Sequence, residues 1–415
     1  MGIKKNIFLW VLYDFANSIV SIVFFLYFAQ WIVIERGVSD FHFNLTFTIS
    51  ALLLLLTAPL AGTLLDRFSR RITGLRYTTC LTVIFYALCA VLAIQNKDTA
   101  ALVFFTFGLY SFLLSFTFYT PLINDLAERE RRGLVSGLGI SANYLGQFAG
   151  LLIALPFSNG AFTFFHASPR VETLLPSVVV FFFLALPTLF FFTEEKKAGG
   201  GTFSLGSETR RLFQETKDIF LSSGVGLFLL SYFLFNDAIL TAANNFPIFL
   251  EQVWHVSDTV KTYILLGILI TSAIGGTLFG FAADRFGHKR TLMFVLAGWV
   301  FILPLVGLLT NFILFVIATT VMGFWFGANW AVSRSVMSHI APKGKHNLAF
   351  AYFGLAERAS SFVGPIVWGL VVSGLVSIGS DRYRIAALVI TAFIVLGLLA
   401  LMRVPDDRRN APVLQ

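Results

Sequence analysis

Twelve apolar runs recur along this chain of 415 residues, and roughly 20 apolar residues are enough to cross a bilayer as a helix. The runs lie at about 7–34, 44–65, 74–95, 100–124, 134–157, 173–193, 220–250, 260–283, 290–309, 311–338, 346–375 and 383–403. Lipid offers no hydrogen-bond partners, so spans of this kind must satisfy their own backbone as helices. Pro59, Pro121, Pro156, Pro187, Pro247, Pro304 and Pro365 fall inside the runs; membrane helices tolerate proline because neighbouring groups satisfy the freed carbonyls. Only 13% of residues are charged, about half the share of a soluble domain. The sequence therefore predicts an all-α membrane protein with twelve transmembrane helices.

The charges set the topology. With both termini in the cytoplasm, 22 of the 30 Lys and Arg residues fall on that side. Six fall outside (Arg36, Lys97, Arg170, Lys261, Arg382 and Arg384), and only Arg334 and Arg358 remain within spans. Such asymmetry is the positive-inside pattern. It accounts for the net charge of +8 without invoking nucleic acid. The first run is too long for a signal peptide and carries Asp14, so it is expected to stay as the first helix. Cys80 and Cys89 have no metal or disulfide spacing, and no two histidines have ligand spacing. No phosphate-binding loop of the Gly-x-x-x-x-Gly-Lys-Ser/Thr type occurs, so ATP is not expected to drive the protein directly. No metal, cofactor or catalytic constellation is expected.

Glu194–Asp218, opening Glu-Glu-Lys-Lys-Ala-Gly-Gly-Gly, reads as a flexible cytoplasmic linker. It divides a bundle at 1–193 from a second at 219–415, each with six runs. The halves correspond. An offset of 223 carries Asp14 onto Asp237 and Trp31 onto Trp254. An offset of 218 carries Asp66 onto Asp284, and one of 214 carries Asn143 onto Glu357 and Gly150 onto Gly364. Two parallel six-helix repeats are a known transporter architecture, with the solute path between them.

Two loops support that reading. Gly62-x-x-x-Asp66-Arg67-x-x-Arg70-Arg71 and Gly280-x-x-x-Asp284-Arg285-x-x-x-Lys289-Arg290 each follow the second span of a half. Together they resemble the signature loop of the major facilitator superfamily. Each Asp is expected near the positive N-terminus of a helix from the other half, with basic neighbours bridging to acids such as Glu128 and Glu130. The loops would latch the cytoplasmic side.

Several shorter strings narrow the resemblance. They are Trp10-Val-Leu-Tyr-Asp-Phe-Ala-Asn-Ser18, Asn124-Asp125-Leu-Ala127, Val135-Ser-Gly-Leu-Gly139, Asn143-Tyr-Leu-Gly146, Ser333-Arg334-Ser335, Ala341-Pro342-Lys-Gly344 and Gly364-Pro365. The set is similar to the vacuolar amino-acid effluxer-like family and its bacterial relatives. The resemblance implies a transporter, with amino acids as a candidate substrate class. The chain differs from the family pattern at Asn329-Trp330 and at Glu357-Arg358.

Charges inside spans face a cavity or one another, and by default they mark solute or ion pathways. Asp14, with Tyr13 and Asn17 beside it, is the first candidate for a proton- or cation-coupling carboxylate, and Asp237 the second. Arg334 offers a planar cation for a carboxylate. Glu357 and Arg358 are neighbours about 100° apart on a helix, so one can face a cavity while the other bonds to another span. Asn143, Gln147 and Asn329 complete the candidate path, with Gln30, Tyr144 and Trp330 as further polar lining. Static ion pairs that merely fix helix packing are the competing reading for the charged members.

The leading expectation is a monomeric secondary transporter of a small polar molecule, embedded in a bilayer and coupled to a proton or cation. A bacterial inner or plasma membrane is expected, or a vacuolar-type membrane in a eukaryote. Efflux of amphipathic compounds or lipids is the alternative, suited by 48 phenylalanines. A receptor built on a transporter fold is a further one.

Overall fold

The computed structural model describes residues 2–68, 71–126, 132–194, 224–342 and 346–405. The described residues are helical, with no strand among them. We number the helices α1 (Gly2–Val23), α2 (Asp40–Phe68), α3 (Arg71–Ile94), α4 (Asp98–Tyr119), α5 (Arg132–Ser158) and α6 (Leu174–Phe191). There follow α7 (Val225–Trp254), α8 (Asp258–Phe286), α9 (His288–Leu308), α10 (Phe312–Ile340), α11 (His346–Ala359), α12 (Gly364–Gly374) and α13 (Asp381–Met402). Twelve helical stretches are long and apolar enough to cross a membrane, with α11 and α12 together forming one of them. The protein is a multi-pass integral membrane protein.

Two elements depart from uniform helix. Beyond Val23, α1 continues to Glu35 through two π-helical turns, Phe24–Phe28 and Trp31–Glu35. The eleventh span, read as one run from the sequence, is broken between Ala359 and Gly364. Proline disfavours helical backbone at the residue before it and has no N–H of its own to donate. Gly364-Pro365 therefore starts a second helix more readily than it continues the first. The linker residues 195–218, together with Arg70, Glu128 and Glu130, lie outside the described residues.

The helices cluster into two compact units. One comprises Met1–Gly199, Ala243–Leu269 and Pro365–Tyr383. The other comprises Gly200–Ala242, Ile270–Gly364 and Arg384–Gln415.

In the first unit α1 is the buried axis, with 78% of its apolar window inside the protein. It packs closely on α5 because Gly146 has no side chain; a Cβ there would collide with the Phe15 carbonyl. Helix interfaces in membranes favour such small residues, since lipid supplies no hydrophobic drive for association. Near its start α1 is fixed to α4 by a reciprocal exchange. The Trp10 indole N–H donates to the Tyr119 carbonyl at 3.2 Å, the Tyr119 hydroxyl donates to the Trp10 carbonyl at 2.9 Å, and the rings stack at 4.8 Å. At the N-terminus of α3, the Glu194 carboxylate accepts from the Arg71 and Ile72 backbone N–H groups at 3.1 and 3.0 Å. An anion at a helix N-terminus satisfies orphan donors and complements the dipole.

In the second unit α7 packs on α13 and α11. The Ser231 hydroxyl donates to the Gly397 carbonyl at 2.7 Å, and the Tyr232 and Phe353 rings lie 4.5 Å apart. The Trp299 indole of α9 donates to the Trp325 carbonyl of α10 at 3.1 Å.

Candidate functional site

Polar side chains that the sequence singles out inside the apolar helices are brought together in both units. In the first, Asp14 accepts from the Asn143 side-chain amide at 3.3 Å, and Asn143 accepts in turn from Gln147 at 2.7 Å. The chain of contacts runs along one face of α5, because residues four apart lie one above the other on a helix. Tyr13 turns away from it: its hydroxyl, fully buried, meets Thr79 of α3 at 2.8 Å. Asn17, one turn on from Tyr13, is also buried, and its Oδ1 has no hydrogen-bond partner. A buried carbonyl oxygen left without a donor is costly, so Asn17 carries unused acceptor capacity beside Asp14.

The second unit holds a larger group. Arg334 of α10 pairs with Glu357 of α11 at 3.3 Å. The Asn236 amide donates to the Glu357 carbonyl at 3.4 Å and accepts from Asn329 at the same distance. Glu357 thus bonds across to α10, while Arg358 donates back to the Gly354 carbonyl of its own helix at 2.9 Å. The Arg334–Glu357 pair remains accessible, with side-chain exposures of 38% and 20%. On α7 and α10, buried polar atoms that make no hydrogen bond include the Tyr232 hydroxyl, Asn329 Oδ1 and the Ser333 hydroxyl. Tyr232 and Asn236 share a face of α7, and Asn329 and Ser333 share one of α10.

Asp237 has a different setting. It is fully buried, and its two carboxylate oxygens accept from the backbone N–H groups of Phe362 and Gly364 at 3.2 and 2.6 Å. These are donors freed by the break between α11 and α12, so Asp237 caps α12 from a neighbouring helix. Gly364 leaves room there for the Thr241 hydroxyl, which would have to move to admit a Cβ.

The loop residues divide likewise. Gly62, Asp66 and Arg67 lie in the last turns of α2, and Arg71 donates through Nη1 to the Pro121 carbonyl at 3.2 Å. Gly280, Asp284 and Arg285 lie toward the end of α8, with Lys289 and Arg290 at the start of α9. Lys289 donates to the Met402 and Val404 carbonyls at 3.0 and 2.5 Å, a cation placed at the negative end of α13. No group of three or more potential metal ligands occurs among the described residues.

One cluster lies where the sequence suggested only loop charges. Arg170 contacts Asp258, Glu251 and Glu35 at 2.8, 2.8 and 3.4 Å. Lys261, with no exposed side-chain surface, pairs with Asp258 at 2.8 Å and with Glu251, and donates to Gln30. A signal was present in the spacing, since Asp258 and Lys261 stand three apart at a helix start.

Comparisons with known proteins bear on the fold and the family. The fold matches the crystal structure of a D-xylose–proton symporter with a TM-score of 0.73 over 99% of both chains, at 14% identity. In sequence, the chain is 24% identical over 437 residues to the uncharacterized MFS-type transporter YxiO of Bacillus subtilis, covering 96% of this chain and 94% of that one. It is 27% identical over 212 residues to autophagy-related protein 22 of Saccharomyces cerevisiae, a match spanning 48% of this chain but only 39% of the yeast protein. The fold is that of the membrane transporters of the major facilitator type. Residues 31–411 match the vacuole effluxer Atg22-like family, and the chain belongs to that family.

Proposed function

We propose that the protein is a secondary active transporter of small polar solutes, with amino acids or related zwitterions as the substrate class, working by alternating access of two six-helix halves. The observation that carries this reading is the accessible Arg334–Glu357 pair, with the unpartnered polar atoms of Asn329 and Ser333 on the same helix as Arg334 and that of Tyr232 on α7. A zwitterion would exchange the internal ion pair for two of its own: its carboxylate on Arg334, through two parallel donors, and its ammonium on Glu357. The orphan hydroxyls and amide oxygen would then gain partners. Because the exchange is nearly charge-neutral, binding can be tight enough to select and weak enough to release.

Asp14, linked to Asn143 and Gln147, is the proposed coupling carboxylate for a proton or cation, an arrangement consistent with carboxylates in transporter spans. The loops carrying Asp66 and Asp284 are the proposed cytoplasmic latch. The test is uptake of radiolabelled amino acids into proteoliposomes, with and without an imposed pH gradient, for wild type and Asp14→Asn. Gradient-driven uptake by wild type and its loss in Asp14→Asn is the expected result. Full gradient-driven uptake by the variant would remove Asp14 from coupling. Failure of folded wild type to move any amino acid would remove the substrate class.

A further inference from the structure

The charges around Lys261 join separate stretches of the first unit. Glu35 and Gln30 come from α1, and Arg170 from the short turn before α6; Glu251 ends α7, while Asp258 and Lys261 begin α8. Three carboxylates and two cations therefore meet where the residues before 199 touch those of 243–269. The same junction carries more polar joins. The Tyr27 hydroxyl reaches Thr262 at 3.3 Å, and Asn44 and Asn245 exchange two amide bonds at 2.9 and 2.8 Å.

The composition of this junction is informative. A permanent helix interface in a membrane needs only close apolar packing, and buried ion pairs add little to it, since desolvation offsets most of the attraction. That balance makes ionic joins suited to opening. If water enters, each charge regains its hydration, so separation costs far less than exposing an equal apolar surface. Removing one partner is another matter, because it leaves a buried charge uncompensated.

We infer that Glu35, Arg170, Glu251, Asp258, Lys261 and Gln30 form a reversible latch, which must open once per transport cycle to expose the solute path on the side opposite the cytoplasmic loops. The inference rests on the alternating-access reading, but its test needs no substrate. In a background lacking Cys80 and Cys89, Thr262→Cys places a reporter thiol beside Lys261, at a position buried in the closed junction. A membrane-impermeant maleimide should label it slowly in reconstituted protein. Arg170→Leu should raise the labelling rate roughly tenfold or more, as expected for the loss of one buried partner. Arg170→Lys, which keeps a cation facing Glu35, Glu251 and Asp258, should return the rate toward the parent value. An unchanged rate in a folded Arg170→Leu variant would overturn the latch.

A second measurement covers the case in which these variants do not fold. Arg170→Cys with Asp258→Cys, cross-linked by oxidation, should hold the junction shut. The Thr262→Cys reporter would then label no faster than background, and reductant would restore labelling. Labelling unaffected by the cross-link would equally overturn the proposal. Should amino-acid uptake be absent while both labelling results hold, the latch stands and only the substrate reading falls.

Discussion

Asp14 and Asp237 occupy matching places in the two halves of the sequence, yet their environments oppose each other. Asp14 is half-buried and meets a side-chain amide on a neighbouring helix. Asp237 is fully buried and holds two backbone N–H groups at a helix break. A side-chain partner can rotate away or be replaced by a solute; a backbone donor at a helix end cannot leave without local unfolding. On the proposed correspondence of the two halves, the matching carboxylates sit in settings suited to different work. One copy is suited to exchange, the other to holding α12 in place.

Substitutions can break this contrast, and the largest effect is expected at Asp237. Asp237→Ala leaves a buried and a part-buried N–H group without their acceptor, at about 1–3 kcal/mol for the buried one, and should markedly lower the midpoint of thermal unfolding in detergent. A midpoint equal to wild type would show that the capping bonds contribute nothing. Gly364→Ala should follow, at about 1–3 kcal/mol from overpacking against Thr241, read by the same thermal assay. Asp14→Asn should shift stability by less than about 1 kcal/mol, because an amide can still bond Asn143, while abolishing the effect of a pH gradient on uptake. A large loss of stability would make Asp14 structural, like its counterpart. Gln147→Ala should do least. It touches Asp14 only through Asn143, so a stability change near 0.6 kcal/mol, typical of one hydrogen bond between membrane side chains, is expected with coupling retained.

Much of this architecture was legible before any coordinates. The spans follow from run length and hydropathy, and the Asp14–Asn143 contact joins two residues that the family strings had already singled out. What could not be read was partnership across helices. Asp237 reads as a second coupling candidate from the sequence, and its backbone-amide partners leave no trace in side-chain identity. The Gly364-Pro365 string was visible, but a helix break becomes a site only when a carboxylate from another helix reaches it. Arg170 and Lys261 were assigned to loops because positive-inside counting treats charges near span ends as aqueous. Asp258 stands three residues from Lys261 and is legible in the spacing, but the burial of Lys261 also depends on Glu251 and on Gln30 from a distant helix, which no local pattern reports.

The π-helical turns late in α1 give this last cluster an unexpected sensitivity to chain length. Each such turn accommodates one extra residue, turning everything beyond it by about 100° relative to a regular helix. Gln30 lies after the first turn and Glu35 at the end of the second, so their headings depend on those insertions as much as on their own identities. Deleting a single phenylalanine from Phe24–Phe28 would change no charge and remove little apolar surface. It would nevertheless swing Glu35 away from Arg170, uncoupling the cluster by phase alone.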